Sequence, residues 1–229
     1  MPVDPAVTSE TVELLQQLIR NQCVNDGSVA SGQEVRTTDV LRTYLQGTGL
    51  DLEVYEPLAA PGRTSLVARI EGRDPKAPTL CVMGHTDVVP VNLKTWTRDP
   101  FGGELVNGEV WGRGAVDMLN LTASQAVALK TLARRGWKPR GTLVYLACAD
   151  EERGGTLGAG YVCDEHWDAL RADYLLTENG GTVSQPKHGG GVNVTVHVGE
   201  KGVAWRRHKV KGTPGHGSMP FGANNALVK

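Results

Sequence analysis

The sequence predicts an α/β domain on a largely parallel sheet flanked by helices, followed by the beginning of a smaller α+β domain. Three observations carry that prediction. TLCVM (79–83), GTLVYLACA (141–149) and ADYLLT (172–177) are continuous apolar runs, as strands buried on both faces should be. Segments of helical length, with apolar residues at helical spacing, alternate with them. VNVTVHV (192–198) instead alternates apolar and polar residues, the mark of half-exposed antiparallel sheet.

The elements follow in order. Val12, Leu15, Leu18 and Ile19 line one face of a helix over 9–22, with Ser9 as its N-cap and Glu10 and Glu13 in its first turn. A second helix over 34–46 is stopped by Gly47 and Gly49. DLEVYE (51–56) and SLVARIEG (65–72) read as short strands ahead of the strand at 79–83. NLTASQAVALKTLAR (120–134) is a helix ended by Gly136 and Pro139. Residues 156–171 read as helical between the strands at 141–149 and 172–177. A Gly-rich break, NGGTVSQPKHGGG (179–191), precedes VNVTVHV and VAWRRHKVKG (203–212), which pair as a hairpin in this reading. The organisation is therefore a first domain over 1–200 and the start of a second over 201–229. Two strands and the helix beginning at NNALVK are too little to bury a core, so the second domain is expected to be truncated here.

Bulk properties narrow the function. With 40% hydrophobic and 21% charged residues the composition is that of a soluble globular chain. A formal net charge of -1 argues against nucleic acid or an anionic membrane as partner. No apolar run approaches the roughly 20 residues that span a bilayer. MPVDPAVTSE lacks the basic and apolar regions of a signal peptide. Cys23, Cys81, Cys148 and Cys163 are dispersed without CxxC pairing, which predicts reduced thiols and a cytoplasmic protein.

The chemistry lies at the strand ends. His85 and Asp87 (GHTD, 84–87) follow one buried strand, Glu151 and Glu152 follow the next, and Glu178 follows the third. In an open α/β sheet ligands bind beyond the carboxyl ends of the strands, so these side chains share one rim. Asp117, in the turn GRGAVDM (112–118) before the helix at 120–134, joins them. Carboxylates crowded there stay ionised only beside a cation, and one imidazole with several carboxylates suits Zn²⁺, or Co²⁺ or Mn²⁺. A dinucleotide-binding loop at Gly112-x-Gly114 is rejected, because Asp117 stands where the third glycine belongs and repels a pyrophosphate. Trp96 and Trp111 fit substrate contact or packing equally, while His166, His188, His197 and His208 read as surface or polar-face residues.

HTDVVP (85–90), WTRDPFGGELVNGEVWGRGAVDM (96–118), ADEERGG (149–155), TENGG (177–181) and GTPGHGSMP (212–220) together resemble the dizinc metallohydrolases that include acetylornithine deacetylase, succinyl-diaminopimelate desuccinylase, carboxypeptidase G and aminoacylase. The resemblance implies a zinc-peptidase-like catalytic domain with a lid domain that also dimerises. It implies that His85 and Glu178 bind one zinc ion, that Glu152 binds a second and that Asp117 bridges both. Asp87 then orients the His85 ring, Glu151 is the general base, and His216 is the lid histidine that stabilises an oxyanion in the partner subunit's site. The family's last metal ligand is a histidine near the C-terminus of a longer chain, which leaves the second metal here with Glu152 and Asp117. The implied activity is hydrolysis of amide bonds in N-acyl amino acids or short peptides by a homodimer. The alternatives are a metal-binding domain without activity and a non-enzymatic peptide-binding relative.

Overall fold

The computed structural model of the chain describes residues 4–178, 183–196, 198–199, 202, 204 and 206–228. His197 and residues 179–182 of the Gly-rich break lie outside the described residues. The chain divides into two compact units, Met1–Glu178 and Asn179–Lys229.

The first unit opens with α1 (Pro5–Arg20), which starts one turn earlier than the apolar spacing implies. Asp4 is the N-cap in place of Ser9, its carboxylate accepting from the Ala6 N–H at 2.9 Å. Pro5 at the first helical position loses nothing, since that N–H has no partner within a helix. α2 (Val35–Leu45) follows, then β1 (Asp51–Tyr55), β2 (Ser65–Ile70) and β3 (Leu80–His85). A hairpin of β4 (Glu104–Val106) and β5 (Glu109–Trp111) turns at Asn107–Gly108, both at positive φ, a combination suited to a two-residue hairpin turn. α3 (Leu119–Arg134) leads into β6 (Leu143–Cys148). The helical stretch expected over 156–171 is two helices, α4 (Ala159–Glu165) and α5 (Trp167–Leu170), before β7 (Tyr174–Leu176).

The sheet order is β1-β2-β6-β3-β7. β3, β6 and β7 run parallel, β2 opposes β6, and β1 opposes β2, so four of the five strands point one way. β6 lies centrally, and its side chains explain its unbroken apolar sequence. Tyr145 and Ala147 enter a core with Leu14, Leu18 and Ile19 of α1, Leu41 of α2 and Ala123 and Val127 of α3. Val144, Leu146 and Cys148 enter the opposite core with Val162 of α4 and Leu170 of α5. β7 is a strand as expected but not a buried one. Tyr174, Leu175 and Leu176 are exposed, β7 being the outermost strand at its end of the sheet.

In the second unit β8 (Val183–Ser184) pairs antiparallel with β9 (Asn193–Val194). The partner expected for 192–198, the segment 203–212, has no strand among its described residues. NNALVK contains a 3-10 turn at Ala226–Val228. Among the described residues no helix is long and apolar enough to cross a membrane. All four cysteines are free thiols.

Candidate metal centre

β3 delivers the imidazole. Gly84 lets α3 lie against the strand: a Cβ there would stand 2.5 Å from Thr122 Oγ1 and 3.1 Å from its Cα. That same Thr122 hydroxyl donates to the His85 carbonyl at 2.7 Å, and the Tyr145 hydroxyl donates to the Thr122 carbonyl at 3.0 Å. The Thr86 N–H and hydroxyl both reach the Cys148 carbonyl, at 2.9 and 3.0 Å, which ties the end of β3 to the end of β6. His85 is thereby held in a buried position with little freedom to turn.

The ring's orientation follows from what it touches. Nδ1 lies 2.9 Å from the Asp87 main-chain carbonyl, which can only accept, so Nδ1 carries a proton. Nε2 then faces the carboxylates: Asp117 Oδ1 at 3.1 Å, Glu151 Oε2 at 3.6 Å and Glu178 Oε2 at 3.8 Å.

Asp117 is set by the turn ahead of α3. Gly114, at φ +87, has Leu119 and Val88 where a Cβ would go, each with a side-chain carbon 2.7 Å from it, so only glycine fits. Met118 is buried and anchors the helix start, while the Asp117 side chain stays 66% exposed. The Asp117–Met118 peptide is cis.

Asp150, Glu151 and Glu152 part ways after β6. Asp150 takes the left-handed conformation, φ 65 and ψ 13, which turns the chain into a 3-10 turn over Glu151–Arg153. Its carboxylate turns inward, accepting from the Leu157 N–H at 2.9 Å and from Arg63 Nη2 at 2.8 Å. Asp87, fully buried, accepts the Glu151 N–H on Oδ1 and the Glu152 N–H on Oδ2, both at 3.2 Å. Its Oδ1 also lies 3.5 Å from His85 Nδ1. One carboxylate therefore faces the imidazole and holds the turn that carries both glutamates.

Two overlapping groups of donors result, each within 4.8 Å of one another: His85, Asp117 and Glu152, and His85, Glu151 and Glu178. The donor set fits a divalent cation. A neutral His85 presents the Nε2 lone pair to acceptor oxygens, which repel it unless a proton or a cation lies between them. Acidities agree. Burial pushes Glu152 up to about 7; His85 offsets part of this, and Asp117, Asp87 and Glu151 add to it. Burial likewise raises Glu151 and Glu178, again with His85 opposing and neighbouring carboxylates reinforcing. Burial alone lowers the imidazole, but the pull of Asp87, Glu151 and Glu178 outweighs it and the net shift is upward. Without a cation the cluster keeps protons to limit its own repulsion.

Six of the seven residues singled out in the sequence thus meet at one strand edge. His216 belongs to the second unit, in an exposed turn where its Nδ1 accepts from the Ser218 N–H at 3.2 Å and pairs with the Ser218 hydroxyl at 2.7 Å. Three residues behind the cluster escaped the sequence reading: Asn25, Glu34 and Arg63, all buried. Nothing local marks them, since the contacts that join them to one another and to the acids of the cluster span 29 to 125 residues.

Residues 81–229 match the family model for peptidase family M20/M25/M40. The chain is 30% identical over 222 residues to a succinyl-diaminopimelate desuccinylase of Rhodospirillum centenum, covering 96% of this chain and 54% of that protein. It is 31% identical over 229 residues to the desuccinylase of Cereibacter sphaeroides, covering 100% and 54%. The chain therefore spans about half the length of the curated relatives it matches. Among solved structures, an M20 family metallo-carboxypeptidase from Sulfolobus solfataricus superposes with a TM-score of 0.61 at 20% identity, over 78% of this chain and 38% of that one. A di-peptidase from Saccharomyces cerevisiae gives 0.60 at 20% identity, over 76% and 39%. These two likenesses show a shared fold.

Proposed function

Because the chain belongs to peptidase family M20/M25/M40, we propose that it is the metal-binding part of a metal-dependent hydrolase that cleaves amide bonds in N-acyl amino acids or short peptides. The observation that carries this reading is the meeting of His85 Nε2 with carboxylates from three separate segments at the carboxyl edge of the sheet. The names of the desuccinylase relatives support an N-acyl amino acid as substrate class. The proposed organisation is a catalytic domain over 1–200 and the start of a lid and dimerisation domain over 201–229.

In this reading His85 and Glu178 would hold one zinc ion, Glu152 would hold another, and Asp117 would serve both. When bound, such ions polarise an amide carbonyl and lower the pKa of water. Glu151 takes the proton from the attacking water and returns it to the departing amine. Asp87 keeps His85 facing the carboxylates and keeps Glu151 and Glu152 in register with it. His216 is the donor that meets the developing oxyanion, in the site of a second subunit of a cytoplasmic homodimer.

The test is Glu151→Gln, assayed with zinc on a panel of N-acyl amino acids and dipeptides. Unchanged zinc content with turnover lost supports Glu151 as the base; loss of zinc makes it a ligand instead. A wild-type chain that binds zinc but hydrolyses nothing on the panel supports the metal-binding domain without activity.

A further inference from the structure

Behind the metal-centre residues runs a buried chain of polar groups. Asn25 is fully buried, and the strand-like segment that carries it is zipped to the residue after Asp87: its N–H donates to the Val88 carbonyl at 2.9 Å, and the Val88 N–H to the Cys23 carbonyl at 2.9 Å. The Asn25 side-chain Oδ1 accepts from the Gly27 N–H at 3.0 Å. A backbone N–H can only donate, so the amide's oxygen must be at that end and its nitrogen at the other. Nδ2 then donates one hydrogen to Asp87 Oδ2 at 2.8 Å and the other to Asp150 Oδ1 at 3.0 Å. Asp150 Oδ1 also accepts from Arg63, whose guanidinium is shared with Glu34.

We propose that Asn25 is a positioning residue of the metal centre: its side-chain amide locks Asp87 to Asp150 and, through them, aims Glu151 and Glu152 at His85. Asp150 is the residue before the turn, and Asp87 holds the first two N–H groups of the turn itself. Fixing both carboxylates to one amide sets the turn's distance from β3. Asn25 does this without adding charge, so the negative charge of Asp87 remains directed at His85. Two buried carboxylates so placed repel each other, and the two Nδ2 hydrogens are what hold both in reach. This rests on the metal-centre reading above, so the test separates the two.

The experiment uses the whole chain with Asn25→Ala and the nearly isosteric Asn25→Asp, which lacks the two donors. In metal-free protein, hydrogen exchange of the Glu151 and Glu152 amides is expected to quicken by about tenfold or more while β6 keeps its protection. Co²⁺ affinity is expected to fall by about 10- to 100-fold, with a changed visible spectrum of the bound ion. A purely structural role would lower Tm and leave the exchange of these two amides, the Co²⁺ affinity and the spectrum as in wild type; that result overturns the proposal. Failure of both variants to fold overturns it as well, by assigning Asn25 to the scaffold. If wild type takes up no Co²⁺, the metal reading fails, and the exchange at Glu151 and Glu152 alone decides whether Asn25 sets the turn.

Discussion

Arg63→Met removes the only cation of the buried chain just described while keeping most of the side-chain volume. Arg63 donates from Nε to Glu34 Oε2 at 2.7 Å, and from Nη2 to Glu34 Oε1 at 2.9 Å and Asp150 Oδ1 at 2.8 Å. The side chains of Arg63, Glu34 and Asp150 are 1%, 0% and 7% exposed, so methionine leaves two carboxylates buried without their cation. Breaking a buried ion pair from one side costs about 3–5 kcal/mol, which lowers Tm by roughly 6–20 °C for a chain of this size. The loss depends on pH. Burial pushes the Glu34 pKa up and Arg63 pulls it back, so without Arg63 the folded-state value rises further above the unfolded one. The folded variant then binds a proton that the unfolded chain has released, and its stability falls as pH rises from about 4.3, the unfolded value, through the raised folded value. Denaturant unfolding of metal-free wild type and variant, at about pH 5.5 and about pH 8, measures this; the deficit is expected to be larger at the higher pH. A loss below about 1 kcal/mol, or the same loss at both pH values, refutes the view that stranded buried charge is what Arg63 prevents.

Metal uptake should depend on pH through Glu152. Its pKa of about 7 in the metal-free chain means that a cation must displace a proton, so Zn²⁺ or Co²⁺ affinity is expected to drop as pH falls below about 7 and to level off above it. Calorimetric titration in buffers of different ionisation enthalpy should show proton release on binding at about pH 6 and little from this group at about pH 8. Gly84→Ala inserts a methyl group 2.5 Å from the Thr122 hydroxyl, which must move β3 off α3 at a cost of about 1–3 kcal/mol. Because His85 is the next residue, metal affinity is expected to fall together with Tm; a variant with normal affinity would show that His85 does not depend on this contact.

The strand ends made the candidate site legible. A run such as LVYLACA signals a strand buried on both faces, and β6 proves to be one, with Tyr145 and Ala147 in one core and Val144 and Leu146 in the other. Parallel strands put their carboxyl ends at one edge, which is why the sequence alone groups His85, Glu151 and Glu178. Apolar content says nothing, however, about which strand lies outermost, and LL of β7 is exposed for that reason. Spacing likewise shows where an apolar face runs, but not that Asp4 and Pro5 add a turn to α1.

The sequence by itself determined the α/β class, the sheet edge of the candidate site and the side chains that meet there, because strand and helix periodicity are local and the side chains at strand ends follow from them. The tertiary structure alone decided which partners Asp150 holds and what Asp87 holds besides the imidazole. The sequence sets Asp150 apart from Glu151 and Glu152 as a structural residue but names no partner for it; the fold turns it to Arg63 and Asn25, while Asp87 reaches forward to hold the N–H groups of Glu151 and Glu152. Those contacts join residues 64 to 125 positions apart. No periodicity extends that far; only the packing of the sheet brings a buried donor to a buried carboxylate.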